Sequence, residues 1–183
     1  EINETMEALG FQFDRKAQCD FIAERTNELK DKYKREPEEN RPNKPRILIT
    51  GCPVGGVRDK ILKTIENSGA SIVAFENCSG VREKMRLADE TIDPIDALTQ
   101  KYLDINCSVM TPNPGRFRDL DKMIDEYEVD AVIEIVLQAC HTFNVEAYNT
   151  KRFVTEQKQK PYLYIETDYS RLDVGQINTR INA

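Results

Sequence analysis

Four short apolar runs, separated by stretches of helical periodicity, constrain this chain most. The runs are Arg46–Thr50 (RILIT), Ser71–Glu76 (SIVAFE), Asp130–Leu137 (DAVIEIVL) and Pro161–Glu166 (PYLYIE). A short, nearly unbroken run of Val, Ile and Leu is the pattern of a strand covered on both faces. Between the runs, Val57–Ser68 carries Val57, Ile61, Leu62 and Ile65 on one helical face, with Gly69 placed to stop it. Asp93–Ile105 reads as a helix with Asp93 as N-cap and Pro94 in the first turn. Pro112-Asn-Pro-Gly is a turn, and Arg116–Glu128 is a helix that points Phe117, Leu120, Ile124 and Tyr127 inward. Residues 141–158 form another helix, and Asp173 or Gly175 starts the last. Strand and helix in alternation, joined by right-handed crossovers, give an α/β fold. The expectation is a four-stranded parallel sheet with helices on both faces, of Rossmann-like type.

A helical lead-in precedes this domain. Residues 12–36 place Cys19, Ile22, Thr26, Leu29 and Tyr33 on one stripe, so Cys19 is expected on a packing face. Residues 37–45 hold three prolines, which remove donors and fix φ, so they read as a linker. The division is therefore 1–44, lead-in and Pro-rich linker, and 45–183, the α/β domain. The chain lacks an initiator Met and its last helical pattern is short, so it reads as a fragment of a longer protein. No run of about 18 apolar residues would cross a membrane. A net charge of -6 argues against nucleic acid as the main partner.

Five cysteines with no secretion signal argue for reduced thiols rather than disulfides. Cys52, Cys78 and Cys140 each lie just past an expected strand end, and Cys107 lies between two helices. In an open parallel sheet, the loops after the strand ends converge on one crevice. Four thiols gathered there would be a soft-ligand site for an iron–sulfur cluster, zinc or copper(I). Their separations of 26, 29 and 33 residues match no local C-x-x-C pair, so the reading depends on convergence through the fold. Unrelated buried thiols and thiol redox work remain alternatives.

Other groups collect near the same rim. Gly51-Cys-Pro-Val-Gly-Gly56 is a strand-to-helix turn. The N–H groups around Gly51, Gly55 and Gly56 would face a phosphate or a cluster sulfide, or the glycines simply serve a tight turn. Glu76, Glu166 and Asp168 would move protons or hold a substrate group, or they cap and solvate. His141, the single histidine, is a base beside Cys140 or a cap for the next helix. Lys and Arg elsewhere are expected on scattered solvated faces.

Five segments, taken in order, carry a resemblance: Thr50-Gly-Cys-Pro-Val-Gly-Gly-Val, Phe75-Glu-Asn-Cys-Ser-Gly, Leu137-Gln-Ala-Cys-His-Thr-Phe, Ile165-Glu-Thr-Asp-Tyr and Gly175-Gln-Ile-Asn-Thr-Arg. From about Pro45 onward, the chain resembles the C-terminal domain of the 2-hydroxyacyl-CoA dehydratase and benzoyl-CoA reductase superfamily, closest to its double-cubane cluster proteins. The resemblance implies a cytoplasmic, oxygen-sensitive iron–sulfur enzyme of anaerobic metabolism. It implies two similar α/β domains with the cluster between them, a dimer at full length, and electrons from an ATP-dependent iron–sulfur activator protein. Dehydratase members act on an (R)-2-hydroxyacyl-CoA, and double-cubane members reduce small molecules.

Carried over by position, Cys140 matches the cluster-ligating cysteine of the C-terminal domain. Cys78 and Cys107 match cysteines that many members hold, and the full set with Cys52 fits the double-cubane type. The missing N-terminal domain of the same chain would supply the other ligands, so this fragment alone is not expected to hold a complete cluster. Few cationic residues in the motif loops would keep the potential low. The competing readings are a structural zinc domain with a four-cysteine site, and a CoA- or nucleotide-binding module with incidental cysteines.

Overall fold

The computed structural model describes residues 5, 13–35, 43–53, 55–78, 82, 84–110 and 112–183. Its contacts divide the chain into two units, residues 1–43 and 44–183. In the first, α1 (Arg15–Arg35) is a charged helix with no buried residue. Its stripe of Ile22, Leu29 and Tyr33 is exposed, as is Cys19, so among the described residues the expected packing face is not buried. Most of the expected Pro-rich linker lies outside the described residues.

The second unit is the expected α/β sheet. Its strands are β1 (Arg46–Gly51), β2 (Ser71–Glu76), β3 (Ala131–Leu137) and β4 (Tyr162–Thr167). All pairings are parallel and the order is β2-β1-β3-β4. The helices are α2 (Arg58–Asn67), α3 (Pro94–Leu103), α4 (Pro114–Glu126), α5 (His141–Arg152) and α6 (Val174–Asn182). A 3₁₀ turn, Gly55–Val57, leads into α2, and α5 runs on as a π-helical turn, Phe153–Gln157.

Local chemistry accounts for the boundaries. Gly69 has φ +91° after the last turn of α2, and the Ala70 N–H reaches back to the Ile65 carbonyl. The Asp93 carboxylate accepts from the N–H groups of Ile95 (2.9 Å) and Asp96 (3.4 Å), with Pro94 following it. α4 starts two residues earlier than expected, because Pro114 is itself a favourable first helical residue after Asn113.

Side chains alternate across the sheet, and each face has its own core. One packs Ile47, Ile49, Phe75, Ile133, Ile135 and Ile165 against α2 and Ile177 of α6. The other packs Leu48, Ala74 and Val132 against Leu120, Met123 and Ile124 of α4, with Val154 beside them. Each buried side chain of this size stabilises by about 1.5–3 kcal/mol. Because β1 has β2 on one side and β3 on the other, the strand order reverses between β1 and β3. That switch point opens the crevice at the strand carboxyl ends.

Candidate functional site

Two of the expected cysteines meet at the switch point. Cys52 follows β1 and is buried, in a small cluster with Val136 and Phe143. Gly51 directs it there. Its φ is +101°, and a Cβ at this position would stand 2.2 Å from the Ile135 carbonyl oxygen. The Cys52 N–H then donates to that same oxygen at 2.7 Å. The backbone therefore demands glycine at 51, whereas a Cβ at Gly55 would meet open space. Cys140 follows β3 and packs half-buried against the Cys52 cluster. Ala139 before it has φ +66°, a left-handed conformation that costs about 1–2 kcal/mol without glycine. The chain accepts that strain where β3 turns to deliver Cys140 as the N-cap residue of α5.

The two thiols pack in one cluster, and their environments push them in opposite directions. Burial pushes the Cys52 thiol up to about 12, against a Leu137 N–H that donates to its sulfur at 3.4 Å. Desolvation also acts on Cys140, but the Phe143 N–H, the Thr142 hydroxyl and the Cys52 thiol outweigh it and lower Cys140. Of the pair, Cys140 is the one whose thiolate form is favoured. A helix N-terminus is a place that favours thiolate.

Cys78 stands exposed after β2, and an Arg82 N–H lies 3.7 Å from its sulfur. The Arg82 guanidinium is 5.5 Å from the centre of the Phe143 ring, which packs against Cys52. A continuous set of contacts therefore runs from Cys78 through Arg82 and Phe143 to Cys52 and Cys140. Cys107 is half-buried in the α3–α4 loop, where the Asn113 amide donates to its carbonyl at 2.8 Å. No hydrogen bond among the described residues joins its sulfur to the other three. Nor do three His, Cys, Asp or Glu side chains stand together there as a metal cage.

Beneath Phe143 lies a charged network that the sequence reading missed. Arg116 is fully buried. It donates to Glu76 (3.2 Å), Glu146 (2.6 Å), Glu134 (3.2 Å) and the Thr50 hydroxyl (2.8 Å). Arg82 donates to the other oxygen of Glu76 at 2.7 Å. Thr50 donates to Glu76 at 2.5 Å, and the Tyr162 hydroxyl to Glu134 at 2.7 Å. Burial raises Glu134 even against Arg116 and Tyr162. The expectation that Arg and Lys sit on solvated faces therefore fails for Arg82, Arg116 and Lys60. One signal was available: a glutamate inside the apolar run of β3 needs a buried cation, because an unpaired carboxylate cannot be held there.

The remaining candidates occupy the rim. Glu76 is wholly engaged by the two guanidiniums and Thr50. Glu166 is exposed, accepts from the Tyr164 hydroxyl at 3.2 Å, and lines a shallow crevice with Gln138, Thr167 and Asp168. His141 is exposed in the first turn of α5. Lys60 is buried and donates at 2.7 Å to the Asp168 and Ser170 carbonyls and to the Asp173 carboxylate, which ties the β4–α6 loop to α2.

A soft cluster needs thiolate ligands on a reachable surface. Cys140, partly exposed with its thiol lowered, and Cys78, exposed, fit that requirement, while Cys52 is buried and its thiol is pushed up.

Comparison with known proteins bears on the same residues. The model of the family described as 2-hydroxyglutaryl-CoA dehydratase, D-component, matches residues 1–183. The chain is 43% identical over 173 residues to YjiM of Escherichia coli (strain K12), named as a dehydratase subunit, covering 94% of this chain and 45% of that protein. It is 25% identical over 127 residues to a benzoyl-CoA reductase subunit of Thauera aromatica, covering 68% of this chain and 29% of that protein. The chain thus spans less than half the length of these relatives.

Proposed function

The chain belongs to the 2-hydroxyglutaryl-CoA dehydratase D-component family, and from that premise we propose that it is part of a multi-component iron–sulfur enzyme acting on an acyl-CoA or a small molecule. The observation that carries the proposal is the meeting of Cys52 and Cys140 at the switch point of the sheet, with Cys140 as the N-cap residue of α5. Cys140 and Cys78 would hold a [4Fe-4S] cluster from this side. Cys107 and a deprotonated Cys52 would complete the ligand set of a double-cubane form. Such a cluster supplies single electrons at low potential, received in this proposal from an ATP-dependent activator.

The chain's own residues then have distinct tasks. The amides of the turn at Gly55 and Gly56 follow Cys52 and would help hold the anionic cluster there. Glu166 and His141, exposed at the rim, would exchange protons with the substrate. Glu76 would act at one remove, by holding Arg82. The other half of the enzyme would close the crevice and shape selectivity for the acyl group. The dimer and the cytoplasmic setting follow from the same reading; for its part, no helix among the described residues is long and apolar enough to cross a membrane.

The test is metal and sulfide analysis of the full-length protein purified without oxygen. The proposal expects a brown protein with about four iron per chain for one cubane, or about eight for two, and matching sulfide. One zinc per chain without iron would replace it with a structural zinc site. Iron-free protein whose activity survives Cys140→Ser would replace it with a binding module.

A further inference from the structure

The charged network does not end inside the core: its outer member touches a crevice sulfur. Arg82 is 1% exposed although it lies outside any helix or strand. Three contacts fix its guanidinium: the Glu76 carboxylate at 2.7 Å, the face of Phe143 at 5.5 Å, and the Cys78 sulfur at 3.7 Å. Glu76 is held in turn by Thr50 and Arg116, so the anchor cannot swing away. Burying a guanidinium is expensive unless its partners are preorganised, and a loop cation on the surface would avoid that cost. A purely structural tie to Glu76 needs only a hydrogen bond, which a neutral side chain at position 82 could supply.

We infer that Arg82 is a positioning residue of the crevice: its guanidinium, stacked on Phe143, holds the Cys78 sulfur and keeps a permanent positive charge beside it. The charge is permanent because a guanidinium does not titrate in proteins. Its planar fork spans carboxylate and sulfur together, which a lysine ammonium would do poorly. An anionic cluster gains negative charge on reduction, so a fixed cation next to one ligand favours the reduced state and raises the potential. This consequence for potential depends on the cluster reading above, whereas the charge beside Cys78 does not.

Two measurements separate those layers. In chelator-treated full-length protein, Cys78 is alkylated with anionic iodoacetate and with neutral iodoacetamide at one pH, and the labelled peptide is quantified. The ratio of the two rates cancels the thiolate fraction and reports local charge. The ratio at Cys78 should exceed that at exposed Cys19 and fall more steeply with salt, a comparison that needs no variant. Arg82→Met should lower it several-fold at Cys78 and leave Cys19 unchanged, and Arg82→Lys should fall between. A Cys78 ratio equal to that of Cys19 and insensitive to both salt and substitution would overturn the inference. In the anaerobic protein, Arg82→Met should keep its iron yet titrate, by electron paramagnetic resonance, at a more negative potential than wild type, with Arg82→Lys intermediate. Iron retained at an unchanged potential would overturn the tuning role. Iron absent from wild type would instead defeat the cluster reading, and the alkylation ratio would still decide the role of Arg82.

Discussion

The two faces of the sheet are built to opposite plans. Against α2 and α6, the strands present isoleucine after isoleucine from end to end. Against α4 and α5 the hydrocarbon stops halfway. Beyond Leu48 and Val132 come Thr50, Glu134 and Glu76, held by Arg116 and Arg82. Hydrocarbon would have sealed both faces more cheaply, because buried ion networks are often no better than well-packed apolar groups. The charges are concentrated under Phe143, which packs against Cys52 and Cys140, and Arg82 reaches from them to Cys78. One face holds the fold, and the other also supports the crevice.

Breaking each face should therefore give different results. Arg116→Met leaves three buried carboxylates without their shared cation, and should cost about 3–5 kcal/mol in denaturant unfolding. It should also change the alkylation rate of Cys140, because Arg116 stacks 5.3 Å from the Phe143 ring beside it. Ile135→Ala on the apolar face should cost about 2–5 kcal/mol through the cavity it leaves, with Cys140 reacting as in wild type. Equal effects of both substitutions on Cys140 would dissolve the distinction.

The pH dependences should differ in sign. Burial raises Glu134, so its folded value lies above its unfolded one. Its contribution is then complete below the ordinary glutamate range, about pH 4, and is lost as pH rises through the folded value. Glu134→Gln should lose less stability than wild type between pH 4 and neutrality. Asp173 is opposed by desolvation but lowered by Lys60 and Thr167. Its contribution is present above the ordinary aspartate range and is lost as pH falls through the depressed value. Asp173→Asn should flatten the acid limb of the unfolding curve. Melting temperatures across pH 2–8 check both.

The smallest effect should be chemical. With iodoacetamide at neutral pH, Cys140 should label ahead of Cys52, as the favoured thiolate beside a buried thiol held up to about 12. Peptide mapping after brief labelling would show it. Labelling of Cys52 first would mean that the two roles are reversed.

The strands were legible because parallel strands buried on both faces are written as continuous apolar runs, and Asp93-Pro94 and Gly69 mark their helix ends by local chemistry. The thiols at Cys52 and Cys140 were legible as sulfur at strand ends, since topology alone brings those ends together. Arg82 and Arg116 were not. Their partners lie on separate strands and helices, and composition cannot tell a buried arginine from a solvated one. Glu134, in the middle of an apolar run, was a local trace of them. α1 misled in the other direction, since a helical stripe shows that a face is apolar but not what meets it.

The central claim is that Cys140 holds iron. The most direct measurement is iron per chain in the anaerobically purified full-length protein, comparing Cys140→Ser with Cys19→Ser. The account predicts that the first variant loses iron and colour while the second keeps both. Full iron occupancy in Cys140→Ser would contradict it.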